Sequence, residues 1–292
     1  MLRKRGSAKA KLQSAMEYLM TYGWAILIIA VVLGSLFQLG VFNSSSFSPR
    51  APPGACQVFR PSGPGTVTNI NLMGVCTGQL PQYVGQFNGQ SSYVNVGNPT
   101  SLAIAPSFTI EVWAKPNKAS SSGMAISCYY AHSSGFFLGQ GVPWSASTNW
   151  GFRMAGSFGY KGIDMGVSSV GEWVQLSVVV NGTSLKGYVN GRQVVSDVSG
   201  GNVVNPVNNY NIGRDPSYGS YFNGTLGNAQ IYNTSLSANQ ILALYLESIG
   251  GAPMKLQNLV GWWPLNGNTN DYSGNNNNGV PTAVTFTSQY GK

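Results

Sequence analysis

Eight acidic residues and a single histidine, His132, are the groups this 292-residue chain offers for general acid–base chemistry. Glycoside hydrolysis needs two carboxylates straddling the scissile bond. Glu111 and Glu172 each stand alone in a strand-like run, and no E-x-D-x-E pattern exists. His132 lies in a tyrosine-rich run and reads as a surface or partly packed residue. No enzyme is expected. What remains is recognition: pyranose faces stack on aromatic rings while hydroxyls need fixed polar groups. Trp144, Trp150, Tyr218 and Tyr221 are the expected ligand-binding residues, from a set of loop and sheet aromatics that includes Tyr129, Tyr130 and Tyr160. Core packing is the alternative for each.

Such rings need a rigid frame, and from residue 83 onward the texture is antiparallel β. In 108–115 (FTIEVWAK), Phe108, Ile110, Val112 and Ala114 share one face and Thr109, Glu111, Trp113 and Lys115 the other. In 173–181, Val174, Leu176, Val178 and Val180 form a wholly apolar face, opposed by Gln175, Ser177 and Asn181. Asn181-Gly182 and Asn190-Gly191 are hairpin turns. Many short strands at this spacing predict a mainly β sandwich or jelly roll. One helix is predicted after Ser237, where Ser237 and Gln240 form a capping box and Gly250-Gly251 a stop. It is expected as a lid over one end of the core.

The frame follows an apolar segment at 13–42, which is uncharged from 18 to 42 and long enough to span a bilayer as a helix. Arg3, Lys4, Arg5, Lys9 and Lys11 precede it without an acid, so the positive-inside rule keeps the N terminus in the cytoplasm and exports the rest. Those five account for much of the net charge of +8; no basic cluster lies beyond them, and nucleic acid is not an expected partner. Export places the cysteines in a disulfide-permissive space. Cys56 and Cys76 flank a Pro/Gly-rich loop and are the expected pair, with Cys128 a buried thiol. The expected organisation is a basic leader (1–12), the helix (13–42), a Ser- and Pro-rich stalk (43–55), a stapled collar (56–81) and the β domain (82–292). Sequons at Asn43, Asn181, Asn223 and Asn233 are candidate glycosylation sites.

The block KLQSAMEY at 11–18 resembles the class III signal of type IV pilins and archaeal pilin-like proteins. The resemblance implies cleavage by a prepilin-type peptidase between Leu12 and Gln13, with the helix retained. Glu17 would become the fifth residue of the mature chain, where the family's acid neutralises the amino terminus of a neighbouring subunit. The chain departs from the pattern at Leu12, where Gly or Ala is usual. A plain membrane anchor, with Glu17 at the headgroups, is the alternative.

The runs FNGQSSYVNVGNPTSLAIAPSFTIEVWAKP, GEWVQLSVVVNGTSLKGYVNGRQV and NIGRDPSYGSYFNGTLGNAQIYNTSLSANQILALY resemble laminin-G-like domains of the concanavalin A-like jelly roll. The segment LVGWWPLNGNTNDYSGNNNNG, which precedes the rest in that family, stands here after the helix. A tail this short cannot support a core alone. Residues 259–287 are therefore expected to return to the sandwich as a circular permutation. The resemblance also implies calcium: Asp271 and Asn275 are the leading candidate ligands, followed by Asp164 and Asp215. Where family members often carry an acidic pair, Gly227 and Asn228 stand instead. The combined expectation is a single-pass surface protein that binds cell-surface glycans or proteins. A purely structural filament or surface-layer subunit is the second reading, a glycosidase the third.

Overall fold

The residues ahead of the apolar run (SAKAKLQSAM) are good helix formers, and neither Gly nor Pro occurs between 7 and 22. Accordingly α1 (Ser7–Gln38) starts within the basic leader and runs through Leu12, Gln13 and Glu17 as one helix. The structure, a computed structural model, describes residues 7–38, 56–59, 67–70, 80–104, 106–120, 122–130, 132–141, 148–198 and 202–288. The stalk, Asn43, Cys76 and Trp144 lie outside them, and with them the test of the Cys56–Cys76 pair. The large apolar side chains of α1 from Met20 (67% exposed) to Leu33 (48%) are open on every side of the helix. Side chains are described continuously only over 22–36. Among the described residues, no helix is long and apolar enough to cross a membrane.

Helix α1 and the β strands form separate compact units. In the second unit, β1 (Cys56–Phe59) and β2 (Val67–Ile70) make a two-stranded antiparallel ladder of their own. The sandwich begins with β3 (Val84–Asn88), β4 (Tyr93–Gly97), β5 (Ser107–Pro116), β6 (Met124–Ser127) and β7 (Phe136–Gln140). It continues through β8 (Trp150–Gly156), β9 (Gly159–Gly166), β10 (Val174–Asn181), β11 (Ser184–Val189) and β12 (Arg192–Val198). Then come β13 (Tyr210–Ile212), β14 (Asn223–Tyr232), α2 (Ala238–Glu247), β15 (Leu259–Trp263), β16 (Val280–Thr282) and β17 (Thr285–Thr287).

The first sheet runs β12-β11-β10-β5-β14-β3-β17, and the second β16-β4-β13-β6-β7-β8-β9, all antiparallel. One flank of β14 is shared end to end: β3 pairs with 223–226 and β15 with 229–232. The tail therefore supplies strands to both sheets: β15 and β17 to the first, β16 to the second. Between the sheets lies one continuous core, where Phe108, Ile110 and Val112 of β5 meet Phe136, Leu138 and Phe152.

Helix α2 does not cap an end of that core. Ile241 and Leu244 pack on Val179, Tyr188, Tyr232 and Trp262, which point outward from the first sheet. Tyr245 stacks on Trp113 with ring centroids 5.8 Å apart. The sequence period marks which face of a strand is apolar, and here both faces are covered. Thr109, Glu111, Gln175 and Ser177, which alternate with the core residues, are all fully buried. The capping box forms: Ser237 Oγ accepts from the Gln240 amide, and Gln240 Oε1 accepts from the Ser237 amide at 2.9 Å. The helix ends at Glu247, with Ser248 at φ 71°, before the two glycines are reached.

Candidate ligand-binding face

With α2 on the first sheet, the second sheet has the outer face that carries no helix. Its inward residues Ile126, Phe136, Leu138, Phe152 and Met154 belong to the core. Their neighbours Phe137, Arg153 and Ala155 therefore point out, and with Met124 and Tyr129 they build an aromatic floor. The Tyr129 ring centroid lies 4.6 Å from that of Phe137, 5.9 Å from His132 and 6.2 Å from Tyr218. The Arg153 guanidinium lies 4.7 Å from the centroid of Tyr160 and 5.4 Å from that of Phe137. His132, exposed and at φ 66°, stands 4.8 Å from Tyr160. Tyr218 and Tyr160 are 55% and 44% exposed, whereas Tyr129 is buried. Burial pushes the Tyr129 phenol up to about 12 against the pull of Arg153, so it stays a neutral hydroxyl.

A loop between β13 and β14 fixes the exposed ring. Asp215 Oδ1 accepts from the amides of Ser217 (2.6 Å) and Tyr218 (3.3 Å), a turn that projects Tyr218 outward. Ser217 Oγ and Asn208 Nδ2 both donate to the Tyr129 carbonyl, at 2.7 and 2.8 Å, which ties the loop to the floor. Burial raises the Asp215 carboxyl above its ordinary value, opposed by those two amides and by Arg214. The same loop carries a second group: the Arg214 guanidinium lies 4.7 Å from the ring centroid of Tyr93 and 5.5 Å from that of Tyr221. Cation–π contacts of this kind hold a guanidinium flat on a ring while leaving N–H donors at its edge.

Of the residues expected from sequence, Tyr218 and Tyr221 come to this face. Trp150 does not. It is the inward residue of β8, 1% exposed and stacked 6.3 Å from Phe222, so it belongs to the core. Tyr93, Phe137, Arg153 and Arg214 escaped sequence reading. A signal for Arg153 exists: it is the one long side chain on the outward face of WGFRMAG, between Gly151 and Ala155.

The residues present do not fit a calcium ion at Asp271. Its Oδ1 accepts from the Trp262 and Ser273 amides and its Oδ2 from the Asn277 amide and Ser273 Oγ, all at 2.9 Å. Asn275 spends its amide nitrogen on the Leu259 carbonyl and Ser273 Oγ. Asp164 accepts from Asn149 and from the Gly166 amide. Among the described residues, no three His, Cys, Asp or Glu side chains come together as a metal site. Cys128 is a free, buried thiol whose pKa burial pushes far up. Glu111 lies under α2 and cannot meet a ligand on the open face.

Two antiparallel sheets over one core, with a ring-lined outer face, define a lectin-type sandwich. A model of the laminin-G type within the concanavalin A-like lectin/glucanases superfamily matches residues 88–242, and the chain belongs to that family. No curated protein matches the sequence. Among solved structures, it is similar to a Bacteroides ovatus protein assigned to carbohydrate binding, with TM-score 0.55 and 16% identity. That match covers 72% of this chain and only 60% of the Bacteroides protein. It is also similar to a heptameric SAP-like pentraxin of Limulus polyphemus, with TM-score 0.51 and 14% identity over 70% of this chain and 94% of that one. At these identities the likeness is one of fold.

Proposed function

We propose that this is a surface-displayed carbohydrate-binding protein whose second sheet presents its ligand face. The observation that carries the reading is the row Tyr160–Arg153–Phe137–Tyr129–Tyr218, in which the half-exposed rings of Tyr160 and Tyr218 flank a guanidinium and a buried aromatic floor on a rigid sheet. Pyranose C–H faces stack on exposed rings, and the guanidinium supplies donors for hydroxyls. Family membership and the Bacteroides neighbour support the assignment. A glycan array probed with the full chain in detergent tests it: oligosaccharide binding is expected. Arg153→Ala and Tyr160→Ala should each weaken it about tenfold, which is about 1.4 kcal/mol, while the variants still unfold cooperatively. Clean non-binding would favour the structural-subunit reading, and hydrolysis of an arrayed sugar would revive the glycosidase.

The N-terminal half of the proposal is a membrane anchor. A helix apolar on every side buries itself in lipid or among other helices, and the uncharged run extends to residue 42. The five basic residues before it keep the leader cytoplasmic. Cleavage by a prepilin-type peptidase before Gln13, with Glu17 meeting a neighbouring subunit's amino terminus, follows from the pilin resemblance. Mass spectrometry of the mature N terminus decides it: a start at Gln13 supports processing, an intact Met1 leaves a plain anchor. The Cys56–Cys76 staple and glycosylation at the exposed Asn233 belong to the same extracellular picture. Asn181, also exposed, is held in the β10–β11 turn and is kept as an unmodified side chain. Asn223 is a poorer acceptor, because it is half-buried at the start of β14.

A further inference from the structure

Helix α2 covers only part of the first sheet. Beside its first turn, the outer face of β10, β11 and β12 is left as a trough of about 370 Å³, within the range of small-ligand sites. We propose that this trough is a second ligand site, separate from the ring-lined face, and that it takes an acidic sugar bearing a carboxylate or sulfate. Two lysines line it: Lys186 on β11, and Lys255 from the chain between α2 and β15. No acidic side chain lines it, and among the described residues the ion pair is Lys161–Asp197, elsewhere. Lys255 is held at φ 47°, a conformation that a non-glycine side chain adopts at a cost.

Two cations beside a low-dielectric wall without a counter-ion repel each other and attract an anion. The amides of the first turn of α2 are partly used by the capping box, so the lysines, not the helix end, carry the charge. The remaining lining suits a sugar ring rather than a bare ion. Asn181, Gln193, Ser235 and Ser237 offer donors and acceptors around a small apolar floor of Val179 and Leu236. Tyr188, 2% exposed, adds a hydroxyl whose bond to Gln193 Oε1 is a long 3.4 Å, leaving capacity for a ligand.

Isothermal titration of the full chain in detergent tests this with digalacturonate, the matched neutral digalactoside and sodium sulfate as probes. Digalacturonate should bind at least tenfold more tightly than the digalactoside and than sulfate. Lys186→Gln and Lys255→Asn should each weaken it at least fivefold, asparagine being chosen because it tolerates the left-handed backbone. Val170→Ala, exposed and lining neither site, should leave it unchanged. Because the lysine variants and the ring-face variants lie on different sheets, failure here and failure of the ring-lined face are separable. Equal binding of acidic and neutral sugar, unchanged affinity in both lysine variants, or sulfate binding as tightly as the sugar overturns the proposal. If one lysine variant does not fold, the other and the salt dependence of the parent chain decide.

Discussion

Glu111 is the residue on which environment overrides type most strongly. It sits mid-strand on β5, opposite Ser177 on one side and Gln230 on the other, fully buried beneath α2. Gln175 Nε2 donates to its Oε1 at 3.1 Å, while Oε2 has no hydrogen-bond partner. Burial raises its pKa from 4.5 to about 8; the Gln175 bond opposes this, and Glu247 on α2 adds to it. The folded chain thus holds a proton here that the unfolded chain releases above about 4.5. Its contribution is most favourable below that pH and is lost as pH rises towards 8, with no further loss above. Glu111→Gln should therefore change stability little at pH 4 and raise it by a few kcal/mol at pH 9. Urea unfolding of parent and variant at both pH values measures this, and an equal difference at the two would refute it. Glu247, itself raised by burial, slopes the same way in both proteins, so the difference reads Glu111 together with its charge coupling to Glu247.

At the scale of elements, α2 decides which polar residues are buried and so where the open face lies. Its N-terminus is fixed by the Ser237–Gln240 box and its underside by Ile241, Leu244 and Tyr245. Ser237→Ala should cost about 1 kcal/mol, read as a lowered denaturation midpoint with an unchanged slope. How much of this was legible in the sequence follows from what local pattern can encode. The alternation of β5 and β10, the two Asn-Gly turns and the capping box are local and were readable. The destination of α2 was not, because strand period marks one apolar face and says nothing of what covers the other. Glu111, Gln175 and Ser177 therefore fall on the polar face of the pattern although all are buried. The same gap misplaced Trp150, an aromatic beside a loop that turns inward, and hid Arg153, an ordinary-looking cation that turns out. Asp271 looked like a cation ligand because its neighbours are oxygen-rich. In the fold those neighbours turn amides and a hydroxyl towards it, and it closes a loop.

Across the whole molecule, chain order and spatial order disagree, and one junction shows how the disagreement is accommodated. At the bulge in β14, Asn228 adopts φ 46° and is buried. Its Oδ1 accepts from Trp262 Nε1 (2.8 Å) and Gln230 Nε2 (3.0 Å), and its Nδ2 donates to the Gly251 carbonyl (3.2 Å). One side chain thus binds the last long strand, the exit from α2 and the tail. An acid here could not supply the donor to Gly251, a physical reason for asparagine where family members often carry acids. The tail is then locked by Trp263, fully buried in the core with its Nε1 donating to the Asn277 carbonyl at 2.9 Å. Its last strand closes the circle: Thr287 of β17 pairs directly with Val84 of β3, so residue 288 ends beside residue 83. Adjacent strands are about 5 Å apart, a gap that a hairpin loop of two to four residues spans. A chain opened between Ala252 and Pro253, with 288 joined to 83 through such a loop, would restore the family's order without breaking a strand. This permutant, 253–288 followed by 83–252, should melt cooperatively within a few degrees of the unpermuted 80–292 fragment. If the fragment folds and the permutant does not, the tail is an accessory seal rather than the family's displaced first strands.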